Sequence, residues 1–110
     1  MNSRDLQFIR KIISEIDVAN GFIDDMSYDE FAGDELIRRA VCMTLINIGE
    51  LVKGLSGELR TANPHIPWRS ISGLRDLAAH KYQTLRMDDV WKTLRDDLTP
   101  LKAELEKMSE

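Results

Sequence analysis

The strongest constraint on this chain is a stretch from about Asp34 to Ala62 that is apolar on more than one helical face. One stripe is Ile37, Val41, Thr44, Ile48, Leu51, Leu55 and Leu59, and a second, overlapping one is Ala40, Met43, Leu45, Ile46 and Val52. A helix that is apolar on most sides must be packed on most sides. A chain of 110 residues buries only a small core, so part of this surface is expected to meet a second copy. Asn47 and Glu50 interrupt the apolar surface and are expected to approach the cleft of such a dimer. Gly49 and Gly54 lie inside the stretch, where glycine is unfavourable unless something packs close. Asn63-Pro64 ends it.

Three further helical segments fit around this one. The first runs from about Asp5 to Gly21, with Leu6, Ile9, Ile12, Ile13, Ile16 and Ala19 three and four residues apart. Asn20-Gly21 is expected to weaken it. A short turn follows, because Ser27 and Glu30 form a capping box and Phe31 can dock it. The third segment starts near Pro67, a favoured first helical residue, and runs through Trp68, Ile71, Leu74 and Leu77 toward His80; Ser72-Gly73 is a candidate break. The fourth starts near Met87 or Asp88 and carries the seam Trp91, Leu94, Leu98, Leu101, Leu105 and Met108. Pro100 falls inside that seam, so a kink or a restart capped by Thr99 is expected. The expectation is one all-α domain over residues 1–110, an up-down bundle of four to five helices that works as a dimer.

Composition narrows the function classes. With 43% hydrophobic and 31% charged residues the chain reads as a soluble cytoplasmic protein, and no apolar run is long enough to span a bilayer. The single cysteine, Cys42, excludes an intrachain disulfide and is expected in the core. The net charge of −4 argues against indiscriminate nucleic-acid binding. Charge is uneven, however: between Lys53 and Arg95 eight basic residues face four acidic ones.

No His-x-x-x-His or Cys-x-x-Cys spacing is present, so no metal or other cofactor is expected. The pairs Asp24-Asp25, Asp88-Asp89 and Asp96-Asp97 point about 100° apart on a helix and read as solvated faces or caps. His65, between Pro64 and Pro67, reads as an exposed loop residue. His80 keeps different company: it lies five residues after Arg75, beside Lys81 and two before Tyr82. Five helical steps are about 140° of rotation and about 7.5 Å of rise. The two side chains therefore do not stack on one face; they converge if the helix ends near His80, if Arg75 uses its long reach, or across a two-fold axis. Such a pair suits metal-independent RNA cleavage, with histidine moving the proton and arginine holding the phosphate. In a short domain, an arginine and a histidine near each other are more often structural.

The run Trp68-Arg-Ser-Ile-Ser-Gly-Leu-Arg-Asp-Leu-Ala-Ala-His-Lys-Tyr82 resembles the HepT-like, or DUF86, branch of the HEPN superfamily, marked by Arg, four residues, His, one residue, Tyr. Ser27-Tyr-Asp-Glu-Phe31, Ile48-Gly-Glu50, Ile66-Pro-Trp68, Val90-Trp91 and Asp97-Leu-Thr-Pro-Leu101 agree with it, so the resemblance covers nearly the whole chain. It implies a HEPN-like dimeric bundle and an endoribonuclease toxin of a type VII toxin–antitoxin pair. It also implies an MntA-like minimal nucleotidyltransferase as antitoxin partner, which transfers AMP from ATP to the motif tyrosine. Arg75 and His80 would then be catalytic and Tyr82 the adenylylated residue. Asn47, Glu50, Asp76 and Lys81 would line the cleft. Where the superfamily commonly has asparagine after the arginine, this chain has Asp76. A carboxylate there is expected to pair with Arg75 or His80 and to repel RNA. The alternative is a non-catalytic nucleotide- or partner-binding subunit of a nucleotidyltransferase complex.

Overall fold

A computed structural model describes the backbone of residues 1–80 and 82–110 and the side chains of all residues outside 77–81. Among the described residues every regular element is helical. Helix α1 (Ser3–Ile23) opens at Asn2, whose side chain accepts from the Asp5 N–H at 2.7 Å. Asn20-Gly21 does not end it. The three-and-four spacing continues to Ile23, whose burial carries the helix past the glycine. Asp25, with φ 63°, then reverses the chain in the left-handed region. Helix α2 (Tyr28–Ala32) begins with the expected Ser27/Glu30 capping box, and Phe31 is fully buried against the Trp91 ring at 5.2 Å.

The long apolar stretch is two helices, not one. Helix α3 (Glu35–Lys53) is capped by Asp34 and stops at Gly54, and α4 (Gly57–Ala62) restarts at Ser56. Asp5 is the physical reason. Its carboxylate accepts the Ser56 backbone N–H at 2.9 Å and the Ser56 hydroxyl at 2.6 Å. That N–H is thereby withdrawn from helical pairing, and the Ser56 oxygen caps the Leu59 N–H at 3.1 Å. Asp5 is only 3% exposed. Burial opposes its charge, but the two bonds from Ser56 outweigh burial and hold the carboxyl below its ordinary pKa.

Helix α5 (Trp68–His80) is continuous; Ser72-Gly73 does not divide it. A 3₁₀ turn (Tyr82–Thr84) leads to α6 (Met87–Lys92), a π-helical turn (Thr93–Asp97) and α7 (Leu98–Met108). The expected break at Pro100 is displaced upstream, and Thr99 does not cap it. Proline has no N–H and crowds the carbonyl four residues before it. The backbone widens one turn earlier, with the Leu98 N–H donating to the Thr93 carbonyl.

Neighbouring rods run antiparallel. Asp5 meets Ser56 between α1 and the start of α4. Lys102 on α7 reaches Asp17 on α1 at 2.6 Å, and Arg95 donates to the Met26 carbonyl at 3.2 Å. Between them lies one core built from Ile9, Ile12, Ile16, Val41, Leu45, Ile48, Val52, Leu94, Leu98 and Leu105. Cys42 is buried, as its apolar setting predicts, and burial pushes its thiol pKa up. The second stripe of α3 divides: Leu45 and Val52 are in the core, whereas Met43 is 57% exposed and Leu36, on the same flank, 77%. No described helix is long and apolar enough to cross a membrane.

Candidate functional site at the α3–α5 contact

Gly49 sets the geometry. A Cβ at this position would lie 2.7 Å from the Arg75 Cβ, 2.9 Å from the Arg75 backbone nitrogen and 3.1 Å from the Ser72 carbonyl oxygen. The two backbones thus meet where only hydrogen fits, which accounts for a glycine in the middle of α3. Glu50, the next residue, is brought directly onto the arginine: its Oε1 lies 2.5 Å from Arg75 Nε. Asp76 accepts from Arg75 Nη1 at 3.0 Å and lies 3.6 Å from Lys53 Nζ.

These contacts form a charge-matched cluster. The hydrogen bond to Asp76, and then the Glu50 charge, raise the arginine's pKa above its already high value. The Arg75 hydrogen bond, and then Lys53, hold the Asp76 carboxyl below its ordinary value. The pairing of Asp76 with Arg75 that the sequence suggested is therefore present. All of these groups keep substantial contact with water, so the cluster orients the guanidinium more than it stabilises the fold.

Tyr82 sits at the other end of the same helix pair. Arg39, on α3, places its guanidinium carbon 4.8 Å from the centre of the Tyr82 ring, within cation–π range. The same guanidinium donates to Glu35 at 3.2 Å and 3.0 Å. The Tyr82 hydroxyl is buried and has no hydrogen-bond partner among the described residues. Along α3, then, Lys53, Glu50, Gly49 and Arg39 each meet a residue of the run that begins with α5.

Of the residues expected at a site, Arg75, Asp76 and Glu50 are in mutual contact. Asn47 does not join them; it lines a shallow neighbouring depression of about 360 Å³ with Lys11, Ser14, Glu15, Glu50 and Leu51. α5 ends at His80, but the His80 side chain and Lys81 lie outside the described residues. Sequence reasoning missed Arg39 and Lys53. Their signal was their place on the polar edge of α3, in register with Glu50 at helical spacing. A cavity of about 630 Å³ lies on the far side of α5 between Ile66, Ile71, Leu74 and Leu101. Arg75, Asp76 and Tyr82 do not line it, and its polar rim is mainly carboxylates with His65, which meets Glu104 at 3.2 Å. The cluster on α3 and α5, not this cavity, holds the chemistry-bearing side chains. Among the described residues no group of three or more His, Cys, Asp or Glu is placed to hold a metal ion.

The family described as "Ribonuclease HepT-like" matches residues 12–108. The protein named "Putative RNase MJ0125" of Methanocaldococcus jannaschii is 36% identical over 109 residues, covering 98% of this chain and 94% of that protein. The "Probable ribonuclease HepT" of Thermococcus cleftensis is 29% identical over 101 residues, covering 92% of each. "Putative RNase TTE0752" of Caldanaerobacter subterraneus is 27% identical over 101 residues, 92% of this chain and 90% of that protein. No solved structure matches the chain significantly.

Proposed function

The chain belongs to the ribonuclease HepT-like family, and from that premise we propose that it is a metal-independent endoribonuclease with Arg75 and His80 as its catalytic pair. The observation that carries this reading is the anchoring of Arg75. A backbone contact at Gly49 fixes its Cβ, and Glu50 fixes its Nε. A guanidinium oriented in this way is suited to hold a phosphate and to stabilise charge that builds on it in the transition state.

In this mechanism His80 takes the proton from a ribose 2′-hydroxyl, whose oxygen attacks the neighbouring phosphorus. The bond to the 5′-oxygen breaks, that oxygen receives a proton, and a 2′,3′-cyclic phosphate remains. The chain works as a homodimer, which brings two copies of the pair into one cleft in the cytoplasm. The exposed Leu36 and Met43 on α3 support a covered face there. As the toxin of a type VII pair, it is silenced by an MntA-like minimal nucleotidyltransferase. The Tyr82 hydroxyl oxygen forms a bond to the α-phosphorus of ATP; pyrophosphate leaves and the phenol proton passes to solvent. The added AMP puts bulk and negative charge where an RNA phosphate must sit.

A second reading, a non-catalytic binding subunit, is favoured by the two carboxylates on Arg75, which compete with a phosphate. One experiment separates the two. In EDTA, wild-type protein purified free of AMP cleaves RNA to cyclic-phosphate ends, and Arg75→Ala and His80→Ala do not. Intact RNA with all three proteins sinks the enzymatic reading. Intact mass after co-expression with a nucleotidyltransferase, compared with Tyr82→Phe, tests the modification.

A further inference from the structure

We propose that Arg39 is a positioning residue that keeps Tyr82 stowed, so that the phenol becomes available as a nucleophile only when the guanidinium leaves its ring. The inference rests on Tyr82 being the modified residue. Three observations meet here. The guanidinium carbon stands 4.8 Å from the ring centre. The hydroxyl is buried without a partner among the described residues. The arginine is held by two bonds to Glu35, at 3.2 Å and 3.0 Å.

A buried tyrosine hydroxyl ordinarily finds a partner. This one is held by its ring face and not by its oxygen, so the seat secures the side chain while leaving the reactive atom unsatisfied. Such a seat is easily left, because nothing is lost at the oxygen when it opens. It also opposes transfer while closed. The Oη–Pα bond can form only if the oxygen is exposed to the α-phosphorus, opposite the departing pyrophosphate. Arg39 takes no part in those bonds; it decides whether Oη is presented. Its tether, Glu35, is exposed, so a protein docking over this end of α3 can compete for the guanidinium. Once AMP is attached, the same cation lies beside a new anion and holds the modified side chain in place.

Nitration of the native protein with tetranitromethane, mapped by peptide mass spectrometry, tests this. Tyr28, the other tyrosine and 36% exposed, is the reference within the same molecule. In wild type Tyr82 nitrates several-fold more slowly than Tyr28. Arg39→Ala raises the Tyr82 rate several-fold and leaves Tyr28 unchanged, whereas Arg39→Lys, which keeps a cation over the ring, stays near wild type. A Tyr82 rate that is the same in wild type and Arg39→Ala overturns the proposal, as does an equal rise in the Lys variant. The assay needs no nucleotidyltransferase. Protection by Arg39 with no AMP ever found on Tyr82 would remove the modification and leave the stowing contact; AMP on a Tyr82 that Arg39 does not protect would do the reverse.

Discussion

The two ends of α3 hold the chemical run of α5 and the turn after it in opposite ways. At the C-terminal end, Gly49 lets backbone meet backbone, and Glu50 and Lys53 bracket Arg75 and Asp76 with charge. At the N-terminal end one exposed side chain, Arg39, leans on one ring, and the Tyr82 oxygen has no partner among the described residues. A close-packed backbone contact cannot move without shifting a helix. A cation–π contact at an exposed arginine is weak and is released by a rotamer change. The arginine is thus held in place and the tyrosine is easily released, which is the contrast that the proposed phosphate-holding role of Arg75 and the proposed modification of Tyr82 require.

Gly49→Ala breaks the fixed end and should have the largest effect. The added methyl group meets α5 backbone, a clash of about 1–3 kcal/mol, and each kcal/mol lowers Tm by roughly 4–8 °C in a domain of this size. Gly73→Ala is its control on α5. Among the described residues nothing lies within 4 Å of a Cβ there, so stability should rise, by up to about 1 kcal/mol. Calorimetry of both variants decides; equal effects would remove the special role of Gly49.

Asp5→Ala leaves the Ser56 N–H without its acceptor and should cost about 1–3 kcal/mol in urea unfolding. Because the folded pKa of Asp5 lies below its ordinary value, its stabilisation is full above that value and is lost as pH falls through the lower folded one. The difference between wild type and Asp5→Ala should therefore shrink below about pH 4. A gap that persists at pH 2 contradicts this.

Glu50→Gln tests what fixes the guanidinium. RNA cleavage should lose several-fold in kcat with little change in KM, since an oriented arginine matters most to charge that builds in the transition state; a pure rise in KM would assign Glu50 to substrate binding instead. The double change Leu36→Glu, Met43→Glu should alter stability least of all, as both side chains are exposed. Light scattering should nonetheless give a dimer for wild type and a monomer for the variant; a monomeric wild type would remove the proposed dimer, and two dimers would move its interface elsewhere.

Much of the frame was legible in the sequence. The three-and-four spacing of Ile9, Ile12 and Ile16 and the seam Leu94, Leu98, Leu101 and Leu105 report burial directly, because helical periodicity is a local property. The break at residues 54–56 was not legible, because its cause is Asp5, fifty-one residues away. Pro100 announced a distortion but not its position, since the π-helical turn absorbs the misfit where the core allows it. Arg75, Asp76 and Glu50 could be named from the sequence; that they touch depends on how α3 lies against α5.

By itself, the sequence determined that this chain is helical, which faces are apolar, and which short run carries arginine, histidine and tyrosine. Those properties follow from residue order over one or two turns. Only the tertiary structure decided that Gly49 is the contact point, that Glu50 and Lys53 serve the Arg75–Asp76 pair, and that Arg39 covers Tyr82. Such pairings depend on the register of helices distant in sequence, and that register is set by packing the whole core at once.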